Sequence, residues 1–574
     1  MLTLLLFHVF LLLITGSLGG AVLRLLRVES TSNGAHFFLA TWLGTFLWGN
    51  LLLWLTPWMP MHPALAVLML LIGLACFRCH PLYRTRPGTA DLAAGALVLL
   101  GMLPVGLQLV TTSDAVSYHY DIHAWLAHVG TVPGMALFHS RFGFLSSWFT
   151  LPAVFNHGVL EGRMSAALGA FTATLTALQV TWALSRAGPS RADGRRALCP
   201  AEALATAALF LAMVFPIMLN LAATPSHDVP VALLTVLCFQ TLLPVYAGEK
   251  REHFLPIVFA ALAVTVKLSS LPVLAVAGVL CMCRAPRPWR YFLKAAVLGG
   301  VLILPWVINQ IFLTGWPLYP LGLRLDLPWS LSAATQAVEV QLVRDYAPWP
   351  ALKSASLPSV LSQWIQGDFT RIIAVIYLLA GLVGMLAMAG VKGRRKPKRM
   401  SLLPFLLGWI GCAFWLWTTA HPRFGWGYLA IPPAIWVLWL YNLPWKFPRI
   451  PLPLCALAAL LSLSLPTLLL PTRTQRHVHA AIARGDLPPP PHAWVLPPIV
   501  PAIRWLDAPP WVEPHQAVIR ETDLLPLQHR PMYFRLDPRR ELRLRHPERG
   551  LRGGVEPIEN PRTYTEFHDL TDTP

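Results

Sequence analysis

Apolar runs dominate the chain, and short polar segments punctuate them. A run of about 20 apolar residues is long enough to cross a bilayer as a helix. Runs of that kind fall at 2–23, 37–56, 63–77, 91–110, 164–185, 201–219, 229–247, 254–267, 270–283, 295–313, 372–390, 401–419, 427–441 and 451–471. They are greasy all round, as lipid-embedded or core helices are, and lack the one-sided stripe of a helix on a soluble protein. The pattern predicts an all-α polytopic membrane protein with about fourteen transmembrane helices. Composition agrees, with 55% hydrophobic and only 13% charged residues among 574.

The polar segments sort into two kinds. "RLLR" at 24–27, "RCHPLYRTR" at 78–86, "RAGPSRADGRR" at 186–196, "EKR" at 249–251, "RAPRPWRYFLK" at 284–294, "KGRRKPKR" at 392–399 and "WKFPR" at 445–449 are basic, and they alternate without a skip with loops of the other kind. Cytoplasmic loops carry the Lys/Arg excess, so these seven lie inside. The net charge of +18 is thereby a topology signal, and nucleic acid is excluded as a partner. The opposite face receives the 111–163 loop, "LNLAATPSHDVP" at 219–230, "KLSSLP" at 267–272, the 314–371 loop, "HPRFGWG" at 421–427 and the tail after 472. None of these contains a cysteine, so disulfides have no part in the outer face. The N-terminal run lacks a basic n-region and reads as a retained first span.

One outside stretch concentrates chemistry. "TTSDAVSYHYDIHAWLAHVG" (111–130) holds Asp114, His119, Asp121, His123 and His128 between apolar neighbours. As a helix it places Tyr118, Ile122, Trp125 and Val129 on one face, which predicts an amphipathic helix lying in the membrane surface, apolar side down. Asp114 is then either its N-cap, with Ser113 as the rival, or a carboxylate poised as a general base. His119 and His123 have metal-ligand spacing but lack the Glu and Gly-rich continuation of a zincin, and no metal ligand is assigned.

Further polar residues reach the same face. "TPSHDVP" (224–230) presents His227 and Asp228 from a turn fixed by two prolines, N-capping being the bland role for the acid. In "TVKLSSLP" (265–272), Lys267 either snorkels to water or binds an anion, and Ser269 and Ser270 open a helix whose N-terminus favours phosphate. Arg141, Arg371 and Arg423 complete the outside cations near membrane level.

Taken in order, "SDAVSYHYDIHAW" (113–125), "RFGFLSSWF" (141–149), "ATPSHDVP" (223–230), "VKLSSLP" (266–272) and "TGWPLYPL" (314–321) resemble the GT-C glycosyltransferases, and in particular their bacterial branch. The resemblance covers about residues 90–430. It implies a GT-C-like core at 91–471, preceded by a three-helix extension (1–90) and followed by an extracytoplasmic extension (472–574). It also implies a sugar donor on a polyprenyl phosphate, an acceptor that is a glycan, lipid or protein, and work at the extracytoplasmic face of the inner membrane. Asp114 would serve as base and Asp228 as a second catalytic acid. Tyr118, His119, Asp121, His123, Arg141, His227, Lys267 and Arg423 would bind substrate, with Lys267 and Arg423 on the phosphate. The first outside loop lacks the Asp-x-Asp that several members carry, so a divalent metal cofactor is left open. Two other readings compete: a transporter or flippase, and a ligase or polymerase of the O-antigen type.

Overall fold

A computed structural model of the chain describes most of residues 2–465 and a short piece of the tail between 542 and 557. Residues 108–113, 188–198, 215–220, 248–253, 350–355, 391–400, 442–449, 466–541 and 558–574, with some isolated positions, lie outside the described residues. Four of the basic loops, most of the predicted C-terminal extension and the rival cap Ser113 fall there.

The described chain is helical. In order come α1 (Leu2–Leu25), α2 (Asn33–Leu55), α3 (Ala64–Ala75), α4 (Thr89–Gly106), α5 (Tyr120–His128), α6 (Ser147–Val154), α7 (Ala167–Arg186), α8 (Pro200–Met213), α9 (Asp228–Ala247) and α10 (Leu255–Val266). There follow α11 (Leu271–Met282), α12 (Pro288–Thr314), α13 (Ala333–Arg344), α14 (Leu357–Gln366), α15 (Phe369–Gly390), α16 (Leu406–Thr418), α17 (Pro422–Leu429), α18 (Ile435–Tyr441) and α19 (Leu452–Leu463). Among the described residues, 8 helices are long and apolar enough to cross a membrane, counting α17 and α18 as one broken helix, Pro422–Tyr441. Shorter apolar helices stand at the other predicted runs: Ala64–Ala75, Pro200–Met213, Leu255–Val266, Leu268–Met282, Leu403–Thr418 and Leu452–Leu463. This is an all-α, multi-pass membrane protein.

Burial separates the helices into a centre and a rim. α9 and α10 are buried along nearly their whole length. α12, α15 and α19 turn large apolar side chains outward, among them Val297, Val301, Ile376, Leu379, Leu457 and Leu461. Outward aliphatic surface on that scale suits lipid and not water. α1 and α2 approach closely because glycine lines their crossing. A Cβ on Gly19 would stand 1.8 Å from the Ala40 carbonyl oxygen, and one on Gly44 would stand 1.9 Å from that of Thr15. Small residues let membrane helices make backbone-level contact.

The predicted surface helix is not at the surface. α5 is enclosed on every side: Asp121 is 3% exposed and Ile122, His123 and Trp125 are 0%. Its stripe meets the chain's own aromatics and not lipid. Trp125 packs on Phe138 and Phe142, with ring centroids 5.1 and 6.3 Å away, while Phe149 of α6 packs on His123 at 5.2 Å. Periodicity predicts an apolar stripe without naming what covers it. The helix with a surface-helix pattern is α14, which turns Val360 and Trp364 inward and Ser359, Ser362, Gln363 and Gln366 outward. The tail contributes one antiparallel pair, β1 (Leu542–Leu544) and β2 (Val555–Pro557), registered Leu542 to Pro557 and Leu544 to Val555.

The glycine crossing is testable. Gly44→Ala forces a methyl into a backbone carbonyl that no rotamer change can move, and overpacking of this kind costs about 1–3 kcal/mol. The variant should melt several degrees below the parent in detergent. An unchanged melting temperature would mean that α1 and α2 do not cross here.

Candidate functional site

The helices converge on one site from their ends. Asp228 opens α9, Lys267 follows the last residue of α10, α11 opens just after it, and Arg423 stands in the first turn of α17. α12 runs back from the Arg284–Lys294 end and finishes at Thr314 on this same side. Local bonds fix each side chain. The turn before α9 is tied by Ser226, whose hydroxyl accepts from the Asp228 N–H at 3.2 Å and donates to Asp228 Oδ2 at 3.3 Å. Lys267 has extended backbone (φ −156°, ψ 123°), and its carbonyl accepts from the Ser270 hydroxyl at 2.8 Å. This breaks α10 from α11 and points Lys267 inward. His421 accepts from the Arg423 N–H through its ring at 3.4 Å, capping α17. Asp114 leads a π-helical turn, Ala115–His119, and makes no capping bond, so the N-cap role expected for it is not the one it plays.

These residues form an alternating chain of charge. Lys267 Nζ donates to Asp228 Oδ1, and Arg423 Nε lies 3.6 Å from Asp228 Oδ2. Arg423 Nη2 donates to Asp114 Oδ2, and Arg141 Nη1 donates to Asp114 Oδ1 at 3.2 Å. Arg141 Nε lies 3.8 Å from Glu339 Oε2, and the Ser140 hydroxyl donates to Glu339 Oε1. The order is Glu339, Arg141, Asp114, Arg423, Asp228, Lys267, with three carboxylates and three cations. The carboxylates are the chain's more buried members: the side chains of Asp228, Glu339 and Asp114 are 4, 6 and 15% exposed, against 18, 23 and 30% for Lys267, Arg423 and Arg141. Aromatic faces support the cations. Lys267 Nζ lies 4.2 Å and the Arg423 guanidinium 4.6 Å from the centre of the Phe424 ring, and Arg141 stands 5.7 Å from that of Tyr118.

The chain lines a cavity of about 170 Å³. Drug-sized pockets run to roughly 300–1,000 Å³, so this one suits a headgroup. Tyr118, Trp306, Tyr319 and Phe424 supply aromatic walls, and Val266, Leu268, Leu342 and Val343 supply an aliphatic side. Gly143 lets Tyr319 close in, since a Cβ there would meet its ring at 2.8 Å. Of the residues expected from sequence, Asp114, Tyr118, His119, Arg141, His227, Asp228, Lys267 and Arg423 all line this cavity. Asp121 and His123 do not; both are buried, His123 against Phe149 of α6. Arg371 is elsewhere, donating to the Trp364 carbonyl at 2.9 Å and holding α14 against α15. Sequence reasoning missed Glu339. Its only signal is position: on α13, Thr335, Glu339 and Leu342 fall on one face, and that face turns inward.

Two imidazoles stand beside the carboxylates. The His119 and His227 rings are 5.5 Å apart, and Phe149 packs on both, at 5.2 and 5.5 Å. Among the described residues, neither His119 nitrogen, nor Nδ1 of His227, has a hydrogen-bond partner. Burial lowers the His119 pKa to about 4, although Asp114 and Asp228 pull it the other way. Burial also holds His227 well below its ordinary value, and Lys267 adds to the effect. Both rings are therefore neutral at pH 7. Burial alone would raise the Asp114 carboxyl, but its cationic neighbours, Arg423 first, outweigh burial and hold it below the usual carboxylate range. Among the described residues no group of three or more His, Cys, Asp or Glu side chains is arranged to hold a metal ion.

Residues 1–430 match a family described as a domain of unknown function (DUF8201). No curated protein and no solved structure matches the chain.

The neutral imidazole makes a pH prediction. Between pH 6.5 and about 4 an unfolded chain protonates His119 while the fold does not. The unfolded state then binds more protons, so stability falls as pH falls through that window. Melting temperatures in detergent should decline from pH 6.5 towards 4, and His119→Phe should flatten the decline. An identical slope in the variant would show that this ring is not held neutral.

Proposed function

From the premise that the chain belongs to the DUF8201 family, whose description names no chemistry, we propose that it is a glycosyltransferase. It moves a sugar from a polyprenyl-phosphate donor to an envelope acceptor at the extracytoplasmic face of the membrane. The observation that carries this reading is the alternating charge chain in a headgroup-sized cavity at the ends of apolar helices. A lipid-carried phosphosugar places its anion and sugar at that depth and its tail in the bilayer. The six shorter apolar helices complete about fourteen spans in this reading, and the arrangement is a GT-C-like core.

The reaction needs charge stabilisation more than a proton on the leaving group. Arg141, Lys267 and Arg423 hold the donor phosphate. Asp114, with Asp228 behind it, takes the proton of the acceptor hydroxyl as its oxygen bonds to the anomeric carbon. The bond from that carbon to the phosphate oxygen breaks, and the phosphate leaves as an anion on the same cations. Tyr118, Trp306, Tyr319 and Phe424 offer faces to the sugar. A positioned base is worth roughly 10²–10⁴-fold in rate.

Mass spectrometry of envelope glycans and lipid-linked sugars, with and without the protein, tests the activity directly. Deletion should remove one sugar from an envelope acceptor and accumulate its polyprenyl-phosphate precursor, and Asp114→Asn should reproduce both changes at normal protein levels. Identical profiles in all three strains would sink the proposal.

Sidedness has its own check. Val159, between α6 and α7 in the loop expected outside, is 75% exposed, and Cys283 is exposed beside the Arg284–Lys294 segment. In intact cells an impermeant maleimide should label Val159→Cys, while the native Cys283 should label only after lysis. The reverse pattern would place the cavity in the cytoplasm and exclude an extracytoplasmic acceptor.

A further inference from the structure

Asp114 is clasped by two arginines that lie far apart in sequence. Arg141 reaches one of its oxygens and Arg423 the other. A guanidinium recognises carboxylate and phosphate through the same planar fork of N–H donors. Building on the phosphate-donor reading above, we infer that the place between Arg141 and Arg423 is the seat of the donor's phosphate, and that the phosphate takes this seat in exchange for the Asp114 carboxylate.

Charge balance requires an exchange. Three cations face three carboxylates in the chain, and the two cavity histidines are neutral at pH 7. An anion entering the cavity therefore meets no uncompensated cation, and it takes the full charge of one by replacing a carboxylate. Asp114 is the one placed to yield. Its side chain is 15% exposed, against 4% for Asp228 and 6% for Glu339. Asp228 is tied from behind by Ser226 as well as by Lys267, and Glu339 by Ser140. Asp114 leads a π-helical turn, a local distortion often found at functional sites.

The exchange has a chemical result. The cations that hold the Asp114 carboxyl below its usual range pass to the phosphate, and the carboxylate becomes a better base as the donor arrives. An arginine-bound Asp114 is a poor base, so an acceptor hydroxyl, or water, is not activated before the donor is seated.

Affinity for a phosphate probe tests this, because the carboxylate competes with the probe. Purified full-length protein in detergent is titrated with farnesyl phosphate and, separately, with inorganic phosphate. Asp114→Asn and Asp114→Ser should both bind farnesyl phosphate about tenfold more tightly than the parent, the scale of one charge-assisted hydrogen bond. Arg141→Gln should bind it about tenfold more weakly. If the parent binds the probe and both Asp114 variants, melting like the parent, bind it no more tightly, the exchange is overturned and the phosphate reading stands. If neither the parent nor any variant binds either probe, the phosphate reading falls and the exchange with it. Tightening with farnesyl phosphate alone supports a lipid-borne anion. Equal tightening with inorganic phosphate upholds the exchange and assigns the seat to a free anion.

Discussion

Charge buried at the end of a membrane bundle is tolerated only when each group meets its opposite, because leaving one unpaired costs several kcal/mol. The rest of this structure answers to that constraint. α9 and α10 must end side by side so that Asp228 meets Lys267. α17 must start beside them so that Arg423 can bridge Asp228 and Asp114. The π-helical turn and the Ser140–Arg141 segment must reach across to the same line, and α13 must supply Glu339 to close it. No two neighbours in that line come from one helix. The ion pairs therefore act as an assembly condition on six separate stretches of chain, over and above any stability they add.

Rarity made most of the site legible in the sequence. In a chain so poor in charge, Asp114, Asp228, Lys267 and Arg423 stand out at the edges of apolar runs, where a bare charge needs a reason. Glu339 has no such contrast. It lies in a long polar connection that also carries Arg324, Asp326 and Arg344, so only the fold selects it. Asp121 and His123 show the opposite failure, where closeness in sequence suggested closeness in space. Asp121 is seven residues beyond Asp114, and an unbroken α-helix of 3.6 residues per turn would return it to nearly the same face. The π-helical turn between them shifts that phase, and Asp121 goes into the packing.

The apolar runs located the helices better than they measured them. The predicted spans 254–267 and 270–283 are real helices, yet the chain breaks between them into a 3-10 turn at Leu268–Ser270, with Lys267 extended before it. Hydropathy reports which residues avoid water. Backbone hydrogen bonds, prolines and caps decide where a helix stops. The apolar stripe of α5 shows the same limit from another side: its Trp125 meets Phe138 and Phe142, and nothing in the stripe distinguishes an aromatic ring from a lipid headgroup.

The small hairpin of the tail stands apart from the helices but not from the cavity. A Cβ on Gly554 would lie 2.8 Å from the Pro133 carbonyl, and the Arg545 guanidinium stacks 4.3 Å from the centre of the Trp329 ring. The indole N–H of Trp329 in turn donates to the Ile311 carbonyl, one turn before α12 ends beside Tyr319. A ribosome makes Arg545 long after it has made every helix that bounds the cavity. The loop that carries Trp329 and Tyr319 therefore gains this contact only after the helices around it have been made.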